Sequence, residues 1–478
     1  MIEYFYLFTH VVFILVLGYY FISAMQWYSY RLQRVLFHFN RYDWHLYFFF
    51  IPIFVYYLSG LYFLLYFYIL LLPTLFLWYR KLDKKLVFTL RVKRFFGFLV
   101  LAAIFQDTLC LLSPNCKLFG VILPLFFSYL ASYLYEKILF YDFKKRANKN
   151  LNANKNLKII AITASYGKTS IKNFLYEVLS SKYRVYKTPR SVNTLGGIIK
   201  DINDNLSDDI DFYIVEAGAR QSGDIDEIAR FINPHIAIVG EIGEQHIEYF
   251  KNLENIRNTK MELLNSNRLE IAFVHISTNV KKDKNIVIYG DDIKNLNANL
   301  DGIDFTIPLD GKDEIFHTKL LGSFNANNLE VVILVCAHLR IKMEDIKKRI
   351  EQIKGVEHRL QKIEANGKII IDDSFNGNLQ GMLGSYDLVS NYSGRRIVVT
   401  PGIIESSSEA NIELAKKIDD VFDLVIITGK TNQKILELNI NKTQKVVLKN
   451  KEKLQSTLAS HTSSGDLILF SNDAPTFM

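Results

Sequence analysis

The chain has 478 residues, enough for about three domains of ordinary size. Its 57 Lys and Arg outnumber 49 Asp and Glu, but the whole surplus lies in residues 1–150, which hold 16 basic and 6 acidic side chains between apolar runs. This distribution argues against a nucleic-acid-binding surface. Three cysteines without a Cys/His cluster exclude a disulfide framework and a zinc site, and Cys336, in an apolar helical pattern, predicts a buried thiol.

The first 145 residues contain long apolar stretches typical of membrane-spanning helices: Tyr4–Ala24, Leu46–Tyr79, Phe95–Ser113 and Leu118–Tyr135. The chain starts Met1-Ile2-Glu3, without the basic start of a signal peptide. The stretches are apolar all round, which excludes an amphipathic surface anchor. Asp107 lies inside one of them and is either functional or paired with a loop lysine.

The charges of the connecting segments predict how these stretches cross the membrane. Residues 25–45, 80–94 and the stretch after the last span are basic, whereas Ser59-Gly60 carries no charge. Because basic loops stay cytoplasmic, we expect Leu46–Tyr79 to form a hairpin of two short spans. Residues 1–146 are therefore predicted to cross the cytoplasmic (inner) membrane about five times, with the N-terminus outside and the following catalytic domains in the cytoplasm.

An Asn-rich segment, residues 147–156, predicts a polar linker. Beyond it, apolar strand patterns alternate with helical patterns, which indicates an α/β fold with mostly parallel sheets. We predict a central domain over residues 157–354 and a smaller Rossmann-like domain over residues 355–478. The predicted strands are 157–163, 212–215, 235–239, 271–274 and 286–289 in the first domain, and 368–371, 397–400, 424–428 and 466–470 in the second.

The first of these strands leads into a loop and a helix that predict a phosphate-binding site. Its residues are Ala164, Ser165, Tyr166, Gly167, Lys168, Thr169 and Ser170. Backbone N–H groups and a helix N-terminus can face phosphates there, while the lysine neutralises charge and the threonine hydroxyl binds Mg²⁺. The loop is shorter than a full Walker A motif, and a loop lysine without a ligand is the alternative.

From Lys168 onward the sequence resembles the Mur ligase family, ATP-dependent enzymes that join an amino acid or peptide to a carboxylate. The family loop reads Gly-Thr/Ser-x-Gly-Lys-Thr/Ser, and Ala164 replaces its first glycine, which requires αR or β geometry at that position. The resemblance spans residues 157–470 and implies that ATP and two Mg²⁺ ions are the cofactors.

The resemblance also implies the catalytic and metal-binding residues. Lys168, Glu216, His246 and Lys260 match catalytic positions; Thr169, Glu216, His246 and Lys260 would hold metal, and Lys260 would carry a CO₂-derived carbamate. Taken one by one, the same residues have ordinary alternatives. Glu216 could be a strand-end carboxylate in solvent, His246 a hydrogen-bonded loop residue, and Lys260 a solvent-facing helix lysine like Lys251.

Further matches extend the implied site into the second domain. Asn325 and Asn328 would line the adenine site, with helix capping as the alternative. Arg359 would reach ATP, and Asp373, in the pair Asp372-Asp373, would hold the ribose hydroxyls unless the pair is only a solvated turn. Substrate contacts are implied for Ser191, Asn193, Thr194, Ser374, Asn376 and Asn378.

Residues 188–197 and 400–405 resemble the branch of the family that adds D-Ala-D-Ala to UDP-MurNAc-tripeptide during peptidoglycan (cell-wall) synthesis. The family's N-terminal domain, which grips the UDP end of the substrate, has no visible counterpart, because the apolar stretches occupy its place. We therefore expect UDP-MurNAc-peptide, D-Ala-D-Ala and the lipid bilayer as partners, no nucleic acid, and a possible association with cell-wall synthesis enzymes. Two alternatives are an enzyme acting on a lipid-linked precursor and a non-catalytic, nucleotide-sensing membrane scaffold.

Overall fold

The computed structural model describes the chain except for residues 1, 29, 38–40, 83, 114–119, 245–246, 376, 404–405, 430, 449–450 and 473–478. Two compact units are present, Met1–Lys144 and Lys145–Met478. The first is helical and the second is α/β.

The first unit consists of helices joined by short turns. They are α1 Ile2–Trp27, α2 Leu32–Phe37, α3 Tyr42–His45, α4 Ile51–Ser59, α5 Phe63–Leu65, α6 Leu72–Lys81, α7 Leu90–Leu112 and the first part of α8 Ile122–Ala153, with π-helical turns at Leu46–Phe50 and Tyr66–Leu71 and a 3₁₀ turn at Gly60–Tyr62. In the described part of the chain, three helical segments are long and apolar enough to cross a membrane: Phe5–Trp27, Tyr42–Lys81 and Leu90–Leu112.

The second of these segments reverses direction at Gly60, as the sequence predicts. Gly60 has φ +55°, and the rings of Tyr56 and Phe63 on either side of it lie 5.0 Å apart. At the far ends of the two arms, the rings of Phe48 and Trp78 are 5.3 Å apart. In one straight helix these two positions would be about 45 Å apart at 1.5 Å per residue. Tyr42–Lys81 is therefore a helical hairpin.

The buried acid Asp107 has a histidine partner rather than the loop lysine considered from the sequence. His10 Nδ1 lies 3.1 Å from the Asp107 carboxylate, and His10 Nε2 lies 3.0 Å from the carbonyl of Gly120. Both side chains are buried. An imidazolium–carboxylate pair and a neutral His–AspH pair have the same net charge of zero, so the pairing lets an acid lie between apolar helices.

Helix α8 differs from the expected linker. It continues to Ala153, and Ala147 and Leu151 are buried in a core cluster with Leu157. These two apolar side chains are four positions apart and so lie on one helical face. The alternating asparagines around them make the segment resemble a polar linker in the sequence.

The central domain contains a six-stranded parallel sheet with strand order β2-β3-β1-β4-β5-β6. Its strands are β1 Lys158–Thr163, β2 Val185–Lys187, β3 Phe212–Glu216, β4 Ile236–Val239, β5 Ile271–His275 and β6 Ile286–Tyr289. The helices are α9 Lys168–Leu179, α10 Leu195–Asn205, α11 Asp224–Ile232, α12 Ile247–Phe250, α13 Leu253–Met261, α14 Phe324–His338 and α15 Met343–Gln352. The near-continuous apolar strands are buried because core clusters cover both faces of the sheet. Cys336 is fully buried in α14, as predicted.

A three-stranded antiparallel sheet, which the sequence analysis does not predict, separates β6 from α14. Its strands are β7 Lys294–Asn299, β8 Gly302–Leu309 and β9 Lys312–Thr318.

The last domain has a second six-stranded sheet, order β10-β11-β15-β12-β13-β14, in which only the edge strand β10 is antiparallel to its neighbour. Its elements are β10 Gln361–Ala365, β11 Lys368–Asp373, α16 Leu379–Ser390, β12 Arg396–Thr400, α17 Ser408–Val421, β13 Leu424–Thr428, α18 Gln433–Asn439, β14 Gln444–Leu448, α19 Leu454–His461 and β15 Leu467–Ser471.

Candidate active site

The predicted phosphate loop lies between β1 and α9. Gly167 caps the helix in the left-handed conformation, with φ +78°, so the first turn of α9 faces the loop. Lys168 bends back over this turn, and its Nζ donates to the carbonyls of Ala164, at 2.6 Å, and Ser165, at 3.0 Å. Ala164 is buried and is not among the described residues with positive φ, which is the geometry that its replacement of glycine requires.

Two neighbouring segments hold the loop in place. The backbone N–H of Ser165 donates to the carbonyl of Glu241 at 2.8 Å, and its hydroxyl donates to the carbonyl of Gly243 at 3.0 Å. A Cβ placed on Gly243 would lie 2.2 Å from the Tyr166 ring, so the ring packs directly on that backbone. A Cβ on Gly167 would lie 2.3 Å from Asn328 Oδ1. The loop is therefore closely packed on the segment after β4 and on α14.

Glu216, the last residue of β3, points at the start of α9. Thr169 Oγ1 donates to its Oε2 at 3.1 Å, and the ammonium of Lys172 lies 2.9 Å from the same oxygen. Both partners of the ion pair are at most 5% exposed. Burial alone raises the pKa of Glu216, but the ammonium groups of Lys172 and Lys168 and the Thr169 hydroxyl outweigh it and lower the pKa. The solvent-exposed alternative for Glu216 is therefore wrong.

Lys260, in α13, is also buried rather than solvent-facing, whereas Lys251 is exposed. Burial, together with the nearby charge of Lys168, lowers its pKa to about 7, although the carboxylates of Asp224, Glu216 and Glu262 act in the opposite direction. Near neutral pH a large fraction of the Lys260 amine is therefore uncharged, which is the form that can react with CO₂. His246 lies outside the described residues.

The segment between α15 and β10 carries Arg359, and the end of β11 carries Asp373; both residues lie near this loop. Burial lowers the pKa of Arg359, while Asp373 and Glu216 raise it and Arg190 lowers it further. Burial and the charge of Arg359 together lower the pKa of Lys168 to about 8, while Glu216 acts in the opposite direction. These mutual effects require the charges to be near one another. The predicted residues Lys168, Glu216, Lys260, Arg359 and Asp373 thus form one cluster.

The backbone on either side of Arg359 is strained. His358 and Leu360 both have positive φ, at +63° and +49°. For a leucine this conformation costs roughly 1–2 kcal/mol, and residues held so are concentrated at functional sites. Asp373 Oδ1 accepts from the Leu360 N–H at 3.3 Å, which helps hold the turn.

Asp372 has a structural role distinct from that of Asp373. It is fully buried; one carboxylate oxygen lies 2.7 Å from His358 Nδ1, and the other accepts from the Ser374 hydroxyl at 2.6 Å. The Phe375 ring packs 5.3 Å from His358 and lies 4.3 Å beneath the Arg190 guanidinium of the central domain. The alternative of a solvated acidic turn is wrong, because both aspartates are at most 1% exposed.

The asparagines of α14 do not cap it, because the helix has Ser323 at its N-cap position and no side-chain capping bond. Asn325 donates to the carbonyl of Leu321 at 2.8 Å and accepts from Asn328 at 3.0 Å. Asn328 thereby lies against Gly167, so it lines the phosphate loop itself.

The residues predicted to contact substrate make different local contacts. Thr194 and Asn378 each cap a helix, accepting from Gly197 at 3.3 Å and Gly381 at 2.8 Å. The carbonyl of Asn193 accepts from the Gly218 N–H at 2.7 Å, which joins this segment to the end of β3.

Ser191 has φ +65°. Ser374 is held by Asp372, and Asn376 lies outside the described residues.

Lys172 and Arg190 lie beside the predicted site residues but are not predicted from the sequence. Lys172 lies four positions after Lys168, so the two lysines share a helix face, and this spacing is the available signal. Its burial against Glu216 depends on β3, which is distant in sequence. Arg190 lies inside the matched segment 188–197, but that segment does not single it out, because its partner Phe375 is far away in the chain.

The arrangement fits a nucleotide with a divalent cation. At the base of the loop, the buried Thr163 hydroxyl has no hydrogen-bond partner among the described residues. Across the described chain, no three His, Cys, Asp or Glu side chains converge on one point. Mg²⁺ does not need such a cage, because it is usually held by one or two carboxylates together with phosphate oxygens and water. Thr169 and Glu216 offer a hydroxyl and a carboxylate of this kind.

Comparison with known proteins identifies one matching domain and several similar ligases. Residues 162–336 match the Mur ligase middle domain. The UDP-N-acetylmuramoyl-tripeptide–D-alanyl-D-alanine ligase of Bacillus subtilis is 26% identical over 333 residues, which cover 66% of this chain and 72% of that protein. The protein of the same name in Borreliella burgdorferi is 28% identical over 273 residues, 54% of each chain.

Solved structures show the same fold. MurF from Acinetobacter baumannii superposes with a TM-score of 0.61 at 20% identity, over 70% of this chain and 78% of that one. MurF from Thermotoga maritima, solved in complex with ADP, has a TM-score of 0.61 at 22% identity, over 70% and 80% of the two chains. Residues 162–336 thus carry a Mur ligase middle domain, and the chain is similar to MurF ligases in sequence and in fold.

Proposed function

We propose that the protein uses ATP to join D-Ala-D-Ala to the free carboxylate of UDP-MurNAc-tripeptide, a step of peptidoglycan precursor synthesis. The observation that carries this proposal is the cluster of Lys168, Glu216, Lys260 and Arg359 around the phosphate loop. The curated relatives described above are named for this reaction. The same step underlies roles in cell shape, division and wall biogenesis.

The charges of the cluster suit an acyl phosphate route. In that route a substrate carboxylate oxygen attacks the γ-phosphorus of ATP and ADP leaves. The amine of D-Ala-D-Ala then attacks the acyl carbon, phosphate leaves, and the amine loses a proton. The carboxylate and ATP that react in the first step, and the acyl phosphate that it forms, are all anionic, so Lys168 and Arg359 lower its barrier by placing positive charge where negative charge accumulates.

Two Mg²⁺ ions complete the proposed site. Thr169, Glu216 and His246 would hold them, together with a carbamate on Lys260, and the metal would neutralise phosphate charge when bound. The depressed pKa of Lys260 supports the carbamate, because only the uncharged amine reacts with CO₂. Asn325, Asn328 and Asp373 would hold the nucleoside, and the segments containing Ser191, Asn193, Thr194, Ser374, Asn376 and Asn378 would contact substrate.

The direct test is phosphate release by the purified full-length protein with ATP, UDP-MurNAc-tripeptide and D-Ala-D-Ala. Lys168→Ala should abolish release, whereas Lys182→Ala, at an exposed lysine just beyond the same helix, should leave it unchanged. Near-wild-type turnover by Lys168→Ala would contradict the proposal. ATP binding without phosphate release from any acceptor would instead favour the non-catalytic scaffold.

We also propose that the first unit spans the cytoplasmic membrane about five times, with the α/β domains in the cytoplasm. The apolar helices and the hairpin at Gly60 support this arrangement. An alkaline phosphatase fusion at Ser59 should be active and one at Lys84 inactive, since these sites lie at opposite ends of a hairpin arm. An inactive fusion at Ser59 would exclude the five-span topology.

A lipid-linked acceptor is the second candidate. It is favoured by the apolar helices, which stand where the family's UDP-gripping domain would lie in the chain. Offering the soluble UDP-linked tripeptide and the lipid-linked form in separate phosphate-release assays distinguishes the two substrates. Association with other cell-wall enzymes at the membrane would be compatible with either acceptor.

A further inference from the structure

An apolar groove of about 840 Å³ lies in the first unit. One wall is α4 with the π-helical turn before it, the other is the start of α8, and Phe21 of α1 lies between them. The lining side chains are almost entirely hydrocarbon and include Phe50, Phe54, Leu125, Phe126 and Tyr129. Phe50, Phe54 and Phe126 are each more than half exposed, so the groove is open on one side.

The length of the groove matches one leaflet of a bilayer. Along the first wall, the lining runs from Phe49 to Leu58. Nine helical steps at 1.5 Å per residue give roughly 13 Å. Half the hydrocarbon core of a bilayer is about 15 Å thick. A chain lying in the groove would therefore reach from the leaflet surface to about its midplane.

Positive charge lies at one end of the groove. The Arg91 guanidinium lies 3.7 Å from the centre of the Tyr30 ring, and Arg91 is one helical turn before Phe95, whose ring is 6.2 Å from that of Phe21 in the groove lining. The neighbouring Arg94 pairs with Glu136. Two arginines against one acid leave a surplus of positive charge beside an aromatic, hydrocarbon-lined channel. A phosphate group next to a long apolar chain has complementary chemistry.

We propose that this groove binds one bilayer phospholipid with an anionic headgroup, its acyl chains along α4 and α8 and its phosphate at Arg91. The proposal rests on the proposed membrane insertion but not on the ligase reaction. It goes beyond generic lipid contact because it requires a preferred headgroup and a single retained molecule.

Native mass spectrometry of the full-length protein, released from nanodiscs with equal phosphatidylglycerol and phosphatidylcholine, tests the headgroup. The wild type should retain one lipid, preferentially phosphatidylglycerol. Arg91→Gln should reduce this preference about fivefold, the equivalent of about 1 kcal/mol for one basic side chain at a lipid surface. Lys93→Gln, at an exposed position on the same helix, should leave the preference unchanged.

A second pair of variants tests the groove itself. Ile122→Trp fills the lining and should reduce retention of both lipids, whereas Leu101→Trp, at an exposed position of α7 outside the groove, should not. Equal retention of the two lipids by the wild type, or equal effects of the two tryptophans, would show only annular lipid and overturn the proposal. Preferential retention of an added polyprenyl phosphate would overturn this choice of occupant. A protein that binds lipid but releases no phosphate contradicts the ligase proposal alone.

Discussion

The buried ion pair between Lys172 and Glu216 makes a sharp prediction about where metal binds. The Nζ–Oε2 distance is 2.9 Å, and the two side chains are 2% and 5% exposed. Lys172→Met keeps an unbranched chain of similar length but removes the charge, which leaves the Glu216 carboxylate buried with Thr169 and Lys168 as its remaining partners.

Removing one partner of a buried ion pair costs about 3–5 kcal/mol, because the other charge stays desolvated. An exposed pair provides the scale for comparison. Lys158 and Glu270 are 42% and 45% exposed, so Lys158→Met should cost about 0–1 kcal/mol. The double variant Lys172→Met/Glu216→Gln removes the unpaired charge and should recover much of the lost stability.

Thermal unfolding of the full-length protein, with and without ATP and Mg²⁺, is the assay. If Glu216 binds the metal, the cation replaces the missing ammonium, and the increase in Tm on adding ATP with Mg²⁺ should be larger for Lys172→Met than for wild type. An equal or smaller increase would refute Glu216 as the metal-binding carboxylate. Equal stability losses for Lys172→Met and Lys158→Met would refute the buried pair.

Three other predictions concern the same site. The pKa of Lys260 is 10.5 in an unfolded chain and about 7 in the native protein, so the unfolded state binds one more proton between these values, and stability should increase with pH through this window. The uncharged native amine that forms the carbamate should instead increase around its own pKa of about 7, and Lys260→Met should flatten the urea-midpoint profile. Gly167→Ala should abolish nucleotide binding measured by calorimetry, because the new Cβ would lie 2.3 Å from Asn328 Oδ1 and the backbone has φ +78°. Adding Asn328→Ala removes the close contact but not the backbone strain, so it should not restore binding. Arg190→Ala and Phe375→Ala should each weaken the domain contact, and a double-mutant cycle on unfolding should give a coupling of about 0.5–1 kcal/mol; a coupling of zero would exclude the cation–π contact.

Local patterns predict much of this fold because parallel strands buried on both faces read as continuous apolar runs. The nine strands predicted from such runs are present, with bounds close to the expected ones. Two groups of strands were not predicted: β2, β10 and β14, which lie at sheet edges, and the antiparallel strands β7, β8 and β9 of the three-stranded sheet. Their pairing partners, rather than their own composition, make them strands.

The phosphate loop, its lysine and the strand-end Glu216 could be predicted from the sequence because a strand, a tight turn and a helix are consecutive in the chain. Local sequence also determined the apolar character of the first unit and the reversal at Ser59-Gly60. Only the tertiary structure decided which charges meet: Lys172 with Glu216, His10 with Asp107, and Arg190 with Phe375. These partners are tens to well over a hundred residues apart in the chain. Sequence reports a side chain's chemistry, but the cost of burying its charge depends on what the fold places beside it.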